Sequence, residues 1–391
     1  MKKRTICIVT TSRADYGILS GLIHEVANDP ALRLQLVVSG AHVSRGPNAT
    51  IAEIRSEAVS IHARIPMPMS GRSALSGARG VSQALPAFAR TFSKSRPDIV
   101  VLLGDRFELF APAISALMLR VPIAHIHGGE ITEGAIDDSV RHAITKMASV
   151  HFTATEQYRA RVVQMGEDPK TVYNFGSPGL DLLHQSRLLP MAQLEDELQF
   201  DLRAPVALVT YHAVTRESQP ISDQLDALEH AILQSKLRAI VTMANLDEGG
   251  SIINRRLKAM CRAHPEVFRW IPSLGHLRYL SALQYVSVLV GNSSSGLIEA
   301  PAFRLPVVNI GPRQRGRVRA ANVIDVRCDE RAISRGIRRA MSPQFRSSLK
   351  EMKNPYDQLA DGRTSRRIKN VLRDLDLSER LIRKTFHNLT L

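Results

Sequence analysis

Short apolar runs alternate along the chain with longer stretches in which apolar residues recur at helical spacing. Amphipathic segments such as GILSGLIHEVAND and ELFAPAISALMLR are predicted to be helices. Near-continuous apolar strands joined by such helices are typical of a parallel sheet that is covered on both faces. Within the first 176 residues the apolar runs predict the strands TICIVT, RLQLVVSG, DIVVLLG, VPIAHIH, VHFTAT and TVYNFG.

The same alternation repeats in the second half, and a proline- and glycine-containing stretch separates the two halves. The second set of predicted strands is PVALVTYH, LRAIVTMA, FRWIPSLG, VSVLVGNSS, LPVVNIG and NVIDVRC. We therefore predict an α/β protein with two doubly wound, Rossmann-like domains. The predicted parts are a first domain at 1–176, a linker at 177–204, a second domain at 205–350 and a basic tail at 351–391 that packs back on the first domain.

Composition excludes several classes of protein. Of the 391 residues, 44% are hydrophobic and 23% are charged, which is typical of a globular protein and not of a disordered one. The cysteines Cys7, Cys261 and Cys328 have neither disulfide-framework nor zinc-ligand spacing. The first apolar run is too short for a signal peptide, and no run approaches the ~18 residues that span a bilayer. We expect a cytoplasmic protein without membrane association.

The net charge is +15, which raises the question of a nucleic-acid partner. Only 5% of the residues are aromatic, and the sequence has no ribonucleoprotein, zinc-finger or basic-region pattern. A field of the same sign also captures small anionic substrates. The charge therefore favours an acidic ligand, and we expect no nucleic-acid partner.

Ligands of open α/β sheets bind beyond the carboxyl ends of the strands, and two such domains that face each other predict a cleft lined from both sides. The first strand is followed by TTSRADYG, which lacks the G-x-G-x-x-G spacing of a dinucleotide site. Arg13 in this turn is a candidate phosphate ligand, helped by the N–H groups of a helix that begins near Tyr16. The alternative is a solvated arginine beside Asp15 as the helix N-cap.

The third predicted strand ends in GDR, so that Asp105 and Arg106 lie at its carboxyl end. Asp105 is a candidate base or an acceptor for sugar hydroxyls, and Arg106 adds a cation at the same place. The alternative is that Asp105 caps a helix at 107–119.

The richest segment is HIHGGEITEGAIDDSVRH, which follows the fourth strand. Its two glycines, Gly128 and Gly129, allow the backbone to approach a ligand closely. Carboxylates held together have pKa values that are pushed apart, which allows one to be an acid and another a base. The alternative is a polar loop that caps a helix. The ionisable residues are His127, Glu130, Asp137, Asp138, Arg141 and His142, with Asp138–His142 and Asp137–Arg141 at i,i+4 spacing.

Two turns in the second half are also candidates. His212 lies just beyond the strand PVALVTYH, where a histidine is as often structural as functional. GNSSSGLIEAPAF predicts an anion cradle of hydroxyls and amides at a helix N-terminus, and Glu299 is placed to accept hydrogen bonds from ribose. The alternative is simple capping by Ser294 or Ser295. The next strand is followed by Arg313, Arg315 and Arg317.

At these motifs the sequence resembles the UDP-N-acetylglucosamine 2-epimerase family, and its hydrolysing branch more than the non-hydrolysing one. The matching stretches are TSRADYG, LLGDRFE, HIHGGEITEGAIDDSVRHAITK, TYHAVT, GNSSSGLIEA and NIGPRQRGR. The resemblance implies a GT-B-like fold, no metal and no redox cofactor, and a homo-oligomer, either a dimer or a tetramer. It also implies that UDP is eliminated from UDP-N-acetylglucosamine and that water adds to the glycal, which gives N-acetylmannosamine and UDP.

The resemblance also implies roles for individual residues. Asp105 and Asp137 become the acid/base candidates, and His212 is expected near the diphosphate. Many relatives have a glutamate where this chain has His127, so either His127 or Glu130 is expected to transfer a proton in its place. The implied or predicted binding residues are Arg13, Arg106, Arg141, Asn245, Ser293, Ser294, Glu299 and Arg313.

Two other enzyme functions fit the same residues. One is the same elimination on a UDP- or GDP-linked 2,4-diacetamido-2,4,6-trideoxyhexose. The other is a GT-B glycosyltransferase, which would use the same diphosphate cradle and an acceptor sugar.

Overall fold

The computed structural model describes residues 3–43, 51, 54, 59–68, 74–133, 136–185, 188–214, 219–244 and 249–389. The chain divides into two compact units. Unit 1 consists of Met1–Glu130, Ile136–Gln185 and Tyr356–Leu391, and unit 2 consists of Ile131–Ala135 and Ser186–Pro355. Unit 1 therefore contains both ends of the described chain, and unit 2 includes a short segment from the first half.

Each unit is built on one parallel sheet. The strands are β1 (Arg4–Thr10), β2 (Leu32–Val38), β3 (Ile61–Arg64), β4 (Ile99–Leu103), β5 (Ile123–Ile126), β6 (Val150–Thr153), β7 (Val172–Asn174), β8 (Val206–Thr210), β9 (Arg238–Val241), β10 (Phe268–Trp270), β11 (Val288–Gly291), β12 (Val307–Ile310) and β13 (Val323–Val326). The strand order is β3-β2-β1-β4-β5-β6-β7 in unit 1 and β10-β9-β8-β11-β12-β13 in unit 2. All neighbouring strands are parallel.

Helices connect the strands. Among the described residues they are α1 (Arg13–Asn28), α2 (Ala74–Ser95), α3 (Phe110–Met118), α4 (Ile136–Met147), α5 (Glu156–Gln164), α6 (Asp181–Gln185), α7 (Met191–Leu198), α8 (Ile221–Ser235), α9 (Gly250–Ala263), α10 (Gly275–Tyr285), α11 (Ser295–Ile298), α12 (Glu330–Met341), α13 (Pro343–Ser348), α14 (Thr364–Asp374) and α15 (Glu379–Ile382). In the part of the chain that the structure describes, no helix is long and apolar enough to cross a membrane.

The central strands are apolar because helices cover both of their faces. All residues of β4 and β8 are buried, and each predicted strand segment overlaps one of the observed strands. Strand β3, which lies at the edge of the unit 1 sheet, was not predicted. Its residues alternate between exposed and half-buried, so β3 lacks the continuous apolar run that marked the other strands.

Helix α14 belongs to unit 1 although it is far along the chain. Ile368 and Leu372 are fully buried in the same core as apolar residues of α1. Lys369 donates to the carboxylate of Asp29 at 2.9 Å. Burial acts to raise the pKa of Asp29, but the bonds from Lys369 and from the N–H of Ala31, together with the charges of Lys369 and Arg373, outweigh it, so the pKa is lowered. Asp181 accepts from the backbone N–H of Thr364 at 2.9 Å and so caps α14.

A second ionic contact joins the end of the chain to unit 1, and we call Lys146, His151, Glu167 and Lys384 the Glu167 cluster. The carboxylate of Glu167 lies 2.6 Å from both lysine nitrogens and 3.0 Å from Nε2 of His151. Burial acts to raise the pKa of Glu167, but these three partners outweigh it and bring the pKa to about 2. The cluster lies at the amino end of β6, away from the carboxyl ends where ligands bind.

Candidate functional site

In unit 1 the first candidate turn follows β1. Helix α1 begins at Arg13, three residues earlier than the sequence predicted, and its N-cap is Ser12, which accepts from the N–H of Asp15 at 3.3 Å. Asp15 is therefore not the cap that the sequence analysis considered. Its carboxylate instead accepts from the hydroxyl of Thr11 at 2.6 Å. Arg13 lies half-buried in the first turn of a helix of 16 residues, where the helix dipole favours an anion.

His42, which the sequence analysis missed, lies just beyond β2 beside this turn. Its ring is buried, its Nε2 lies 3.0 Å from the hydroxyl of Thr10, and its edge meets the ring of Tyr16. Burial lowers the pKa of His42 to about 4, while Asp15 acts to raise it and Arg106 to lower it. The imidazole is therefore neutral at neutral pH. The rule that ligands bind beyond strand ends would have found this residue.

Asp105 lies at the carboxyl end of β4 and pairs with Arg141 from the middle of α4. Nη2 of Arg141 donates to Oδ2 of Asp105, and the arginine side chain is 2% exposed against 23% for the aspartate. The following helical turn, Phe107–Leu109, has no side-chain cap, so Asp105 does not cap a helix. The pair leaves a partly exposed carboxylate whose orientation is set by a buried guanidinium.

The buried side chain of His125 contacts the backbone next to Asp105 and the helix of Arg141. Nε2 of His125 lies 2.8 Å from the carbonyl oxygen of Gly104, and Nδ1 lies 3.1 Å from the hydroxyl of Thr145. The same hydroxyl donates to the carbonyl of Arg141 at 3.0 Å. Burial lowers the pKa of His125 to about 3, so the ring is neutral. His125 and Thr145 thus connect the backbone on which Asp105 lies to the helix that carries Arg141.

Arg106, which was predicted to bind substrate, has an intramolecular partner. Its Nη2 donates to Oε1 of Glu108 at 2.7 Å, and Glu108 is fully buried. The sequence analysis did not single out Glu108. The interaction fixes the direction of Arg106 near the end of β4.

His127 follows β5 directly and has a left-handed backbone conformation, with φ of 62°. A residue other than glycine in this conformation costs roughly 1–2 kcal/mol, which its contacts offset. Nδ1 of the ring lies 2.9 Å from Oε1 of Glu130, and Nε2 lies 3.1 Å from Oγ of Ser177. His127, Glu130 and Ser177 are 5%, 2% and 1% exposed. The structure thus brings together His127 and Glu130, as the sequence predicted, and adds Ser177.

The two glycines after His127 are required by packing inside unit 1. A Cβ on Gly129, where φ is 78°, would collide with the carbonyl oxygen of Tyr158 in α5. A Cβ on Gly128 would lie 3.1 Å from both His125 and Thr145. These glycines were predicted to allow the approach of a ligand, but close internal contacts already account for them.

Helix α4 carries the rest of the charged set. Asp137 and Asp138 are half-buried in its first turn, where the helix dipole favours carboxylates. Nε2 of His142 lies 3.5 Å from Asp138, as the i,i+4 spacing predicted. Burial lowers the pKa of His142, as does the nearby Arg141, while Asp138 acts to raise it.

In unit 2 the central residue of the candidate site is Asn292, which follows β11 and is fully buried. Its Oδ1 accepts from the backbone N–H of His212 at 2.7 Å, and its Nδ2 donates to the carbonyl of the same residue at 2.9 Å. This pair of bonds fixes the backbone of His212 beyond β8. Gly291 makes the approach possible, because a Cβ there, where φ is 141°, would collide with the carbonyl of Thr210.

The backbone of Asn292 connects this turn to the arginine-rich loop. Its carbonyl oxygen accepts from Nη1 of Arg313 at 3.1 Å and from Nε2 of Gln314 at 2.8 Å. Gln314 is buried and was not identified from the sequence. The turns after β8, β11 and β12 are thus held together around one asparagine, and His212 and Arg313 are both attached to it.

The serine turn differs from its prediction. Helix α11 has only four residues, and a 3-10 turn that contains Pro301 follows it. Ser294 is the N-cap residue but its side chain makes no capping bond, and Ser293 and Ser294 are half-buried. The N–H groups of Gly296 and Leu297 donate to the carbonyls of Ser293 and Ser294 at 3.2 and 2.9 Å. The helix dipole is therefore small, and the hydroxyl groups are the larger part of what this turn offers an anion.

Tyr279 of α10 orients the third serine of this turn. Its hydroxyl donates to Oγ of Ser295 at 2.6 Å. Burial, followed by the nearby carboxylate of Glu299, raises the pKa of Tyr279, so its phenol stays protonated. Glu299 is half-buried at the end of α11. Tyr279 was not predicted, since nothing in its local sequence distinguishes it from a core tyrosine.

The other basic residues of the loop differ in their surroundings. Nε of Arg317 donates to the carbonyl of Ile131 at 3.1 Å, and its Nη2 donates to Thr132 at 3.3 Å. Arg317 thus holds the short segment of unit 2 that comes from the first half of the chain. Arg315 is exposed. Asn245, which was predicted to bind the nucleotide, lies outside the described residues.

The two sets of residues are suited to different chemistry. The unit 1 set combines carboxylates, imidazoles and a buried arginine, which can hold and transfer protons. The unit 2 set combines hydroxyls, an arginine and fixed backbone, which can bind an oxyanion. Among the described residues, no group of three or more His, Cys, Asp or Glu side chains has the arrangement of a metal site.

Known proteins are similar to this chain over most of its length. A family model described as UDP-N-acetylglucosamine 2-epimerase matches residues 24–373. The chain is 39% identical over 332 residues to a GDP/UDP-N,N'-diacetylbacillosamine 2-epimerase (hydrolyzing) from Campylobacter jejuni, covering 83% of this chain and 85% of that protein. It is 36% identical over 382 residues to a UDP-N,N'-diacetylbacillosamine 2-epimerase (hydrolyzing) from Legionella pneumophila, covering 97% and 98%.

Solved structures have the same fold. A UDP-GlcNAc 2-epimerase from Neisseria meningitidis superimposes with a TM-score of 0.79 at 16% identity, covering 94% of this chain and 99% of that one. The predicted fold class, GT-B-like with Rossmann-like parallel sheets, is therefore confirmed.

Proposed function

Since the chain belongs to the UDP-N-acetylglucosamine 2-epimerase family, we propose that it is a hydrolysing 2-epimerase of a UDP-linked 2-acetamido sugar. The first candidate reaction is the conversion of UDP-N-acetylglucosamine and water to N-acetylmannosamine and UDP. It proceeds by elimination of UDP and hydration of the resulting glycal.

In the elimination, Asp105 takes the proton from C2. The electron pair of the C2–H bond forms the C1–C2 double bond, and the C1–O bond breaks with its electrons moving to UDP. Arg141 keeps the Asp105 carboxylate directed and is itself too buried to be displaced by solvent. His127 is the second candidate for this step, and substitution of His127 distinguishes the two.

In the hydration, inversion at C2 requires that a proton arrive on the face opposite to the one it left. We assign this proton to the pair formed by His127 and Glu130, whose nitrogen and oxygen lie 2.9 Å apart. Water adds to C1 and gives its proton to Asp137. The sum of the steps consumes one water and releases N-acetylmannosamine and UDP.

Unit 2 provides the diphosphate site in this proposal. Arg313 and the hydroxyls of Ser293 and Ser294 bind the diphosphate, which is charged both in the substrate and in the departing UDP, so their interaction contributes mainly to affinity. The backbone of His212, fixed by Asn292, brings the imidazole to the same turn. Glu299 accepts hydrogen bonds from ribose hydroxyls. Arg13, in the first turn of α1, keeps its assignment as a phosphate ligand within unit 1.

The observation that supports the proposal best is the chemistry at two neighbouring strand ends. Asp105 follows β4 and His127 and Glu130 follow β5, and buried partners direct all three. Groups whose orientation is fixed in advance transfer protons efficiently, because little reorganisation is left for the reaction itself. A merely structural polar loop would not need a carboxylate that is both directed and partly exposed.

The test is to incubate the purified protein with UDP-N-acetylglucosamine in D2O and follow the products by proton NMR. We expect free UDP and N-acetylmannosamine that carries deuterium at C2. A UDP-linked N-acetylmannosamine product would instead indicate a non-hydrolysing epimerase. Absence of both products would contradict the proposal for this substrate.

A second candidate substrate is UDP-N,N'-diacetylbacillosamine, which differs at C4 and C6. The specific observation in its favour is that the relatives from Campylobacter jejuni and Legionella pneumophila are named for it. The C2 chemistry is identical, so the same residues serve both reactions.

The two candidates are separated by kinetic competition. Equal concentrations of both UDP-sugars are mixed with the enzyme, and the ratio of the two free sugars released gives the ratio of the kcat/KM values directly. A ratio above about ten in either direction assigns the substrate. The GDP-linked forms, run in parallel, test whether the nucleotide is discriminated.

A further inference from the structure

His127 and Glu130, the pair assigned to the proton that arrives at C2, have different surroundings in the structure. An imidazole can interact in its ring plane only through Nδ1 and Nε2. Nδ1 lies 2.9 Å from Oε1 of Glu130, and Nε2 lies 3.1 Å from Oγ of Ser177. Both nitrogens therefore face partners inside unit 1.

The hydrogens of this group follow from its chemistry. An ionised carboxylate has no hydrogen of its own, and two lone pairs 2.9 Å apart would repel each other, so the nitrogen next to Glu130 carries a hydrogen. In the neutral ring Nε2 then has a lone pair, and the hydroxyl of Ser177 donates to it. When the ring is protonated, the hydroxyl rotates and accepts instead. Ser177 thus satisfies Nε2 in both states, which matters because an unmet polar atom is costly at a buried site.

The main chain also fixes the ring. The N–H of His127 donates to the carbonyl of Phe152 at 2.9 Å, and the left-handed φ of 62° directs the side chain. The N–H of Ser177 donates to the carbonyl of Tyr356 at 2.9 Å, which fixes the other end of the contact. The ring is thus held at both nitrogens and at its backbone.

We propose that His127 is a positioning residue that acts through Glu130, that Ser177 completes it, and that Glu130 is the group that exchanges the proton with C2. The proposal rests on the proposed function and assigns a role to Ser177, which neither the motifs nor the relatives' names indicate. Before hydration Glu130 takes up a proton from solvent water, which is why C2 acquires deuterium in D2O. In the hydration step this O–H bond breaks and the C2–H bond forms with the electron pair of the double bond. His127 then directs the carboxylate that remains.

Substitutions of His127 separate positioning from proton transfer. In His127→Asn, the side-chain amide nitrogen replaces Nδ1 and keeps an N–H beside Glu130, but the side chain cannot titrate. Asparagine also tolerates the left-handed backbone. We expect kcat within about threefold of the wild-type value for Asn and at least about tenfold lower for His127→Leu, with KM within about twofold in both.

The result that would overturn the proposal is a His127→Asn variant as inactive as His127→Leu, since an imidazole that itself transfers the proton cannot be replaced by an amide. Glu130→Gln provides the complementary measurement. We expect a loss of at least about 10²-fold in N-acetylmannosamine formation and release of the glycal, because elimination proceeds while hydration lacks its proton donor. Glu130→Gln with wild-type hydration would also contradict the proposal.

A double-mutant cycle tests Ser177. Ser177→Ala should lower kcat about threefold in the wild-type background and have no effect in His127→Asn, where no atom equivalent to Nε2 is present. Equal effects in both backgrounds would remove Ser177 from the proposal. The matched control is Ser115→Ala, which removes another buried hydroxyl, one that bonds carbonyls of α2 and α3.

A spectroscopic measurement remains informative if UDP-N-acetylglucosamine is not turned over. The ¹⁵N resonances of the His127 ring are assigned by their absence in His127→Asn. We expect the neutral ring to carry its hydrogen on Nδ1, and Ser177→Ala to shift the Nε2 resonance from its hydrogen-bonded position. A neutral ring with the hydrogen on Nε2 would refute the arrangement, whereas turnover tests the proposed function separately.

Discussion

The candidate sites of the two units are built from different kinds of contact. In unit 1 the site residues bind one another through ionisable side chains, as in the pairs Asp105–Arg141 and His127–Glu130. In unit 2 the central contacts join a neutral side chain to backbone, as in the bonds between Asn292 and His212. The side chains of the unit 1 site can therefore gain or lose protons while their partners hold them in place. The geometry of the unit 2 site does not depend on protonation.

This difference matches the two tasks of the proposed reaction. Proton transfer at carbon requires groups that gain and lose charge, and their partners must tolerate both states. Binding a diphosphate requires donors at fixed positions, for which backbone held by a buried amide is suitable. The comparison predicts that substitutions in unit 1 lower mainly kcat and that substitutions in unit 2 weaken mainly nucleotide affinity.

The largest effect is expected for Asp105→Asn in unit 1. The amide keeps the size of the side chain but cannot accept the C2 proton, so kcat should fall at least about 10²-fold with KM changed by less than about threefold. Steady-state release of UDP measures both constants. The matched control is Asp226→Asn. It alters an ion pair in which the side chains of Asp226 and Arg256 are 2.6 Å apart, outside the candidate site, and it should retain wild-type kcat. A near-wild-type rate for Asp105→Asn would remove Asp105 from the chemistry.

Substitution in the Glu167 cluster of unit 1, which lies away from the strand carboxyl ends, should affect stability alone. The pKa of Glu167 is lowered from 4.5 to about 2, so its stabilising effect is present above about pH 4.5 and is lost as the pH falls toward 2. Glu167→Gln should lower the free energy of unfolding at pH 7 by about 2 kcal/mol, and the difference from wild type should shrink toward pH 2. Urea unfolding at several pH values measures this. A decrease in kcat larger than the loss of folded protein would show that the Glu167 cluster also contributes to the unit 1 site.

The unit 2 site is tested with Asn292→Ala, which removes both bonds to the backbone of His212. Leaving one buried N–H and one C=O unmet costs about 1–3 kcal/mol, part of which appears as weaker binding. We expect about tenfold weaker UDP binding by calorimetry with kcat reduced by less than about threefold. Asn292→Asp keeps the acceptor and loses the donor, so its affinity for UDP should lie between those of the wild type and Asn292→Ala. A fall in kcat as large as that in affinity would mean that the two units do not divide their tasks.

The smallest effect is expected for Tyr279→Phe. The change removes only the hydroxyl that donates to Ser295 at 2.6 Å, and a hydrogen bond of this kind contributes about 0.5–1.5 kcal/mol. UDP affinity should fall about threefold, measured by the same calorimetry. Tyr285→Phe removes a tyrosine hydroxyl that donates to Leu189 at 3.1 Å and is the control. An effect of equal size in both variants would show that Ser295 does not need its orienting partner.

Most of the fold could be predicted because its signal is local. Buried parallel strands are continuous apolar runs, so the sequence alone indicated where β1, β4 and β8 lie. The edge strand β3 was missed because one of its faces is solvated and its pattern alternates. The length of α11 was missed because the serine turn suggested a helix start, while Pro301 ends the helix after one turn.

The site was only partly predictable because its partners are distant in sequence. The strand-end rule found Asp105 and His127. It could not indicate that Arg141, 36 residues further along the chain, pairs with Asp105, or that Ser177, 50 residues further along, contacts His127. Asn292 stands in a motif that was recognised for its serines, yet its own side chain makes the contacts that organise the turn. Contacts of this kind depend on tertiary approach, which has no local pattern.

The division of unit 1 along the chain affects how the protein is made. Residues 1–130 and 136–185 belong to unit 1, and α14 with the rest of 356–391 completes it, so a ribosome synthesises 186–355 before unit 1 can close. At roughly 5–20 residues per second, that interval lasts on the order of 10–30 s. During this time the face of α1 that later packs against Ile368 and Leu372 stays uncovered on the nascent chain. Unit 2 is thus free to fold first, and a premature stop before residue 356 would release a chain whose leading half still exposes apolar surface to chaperones and proteases.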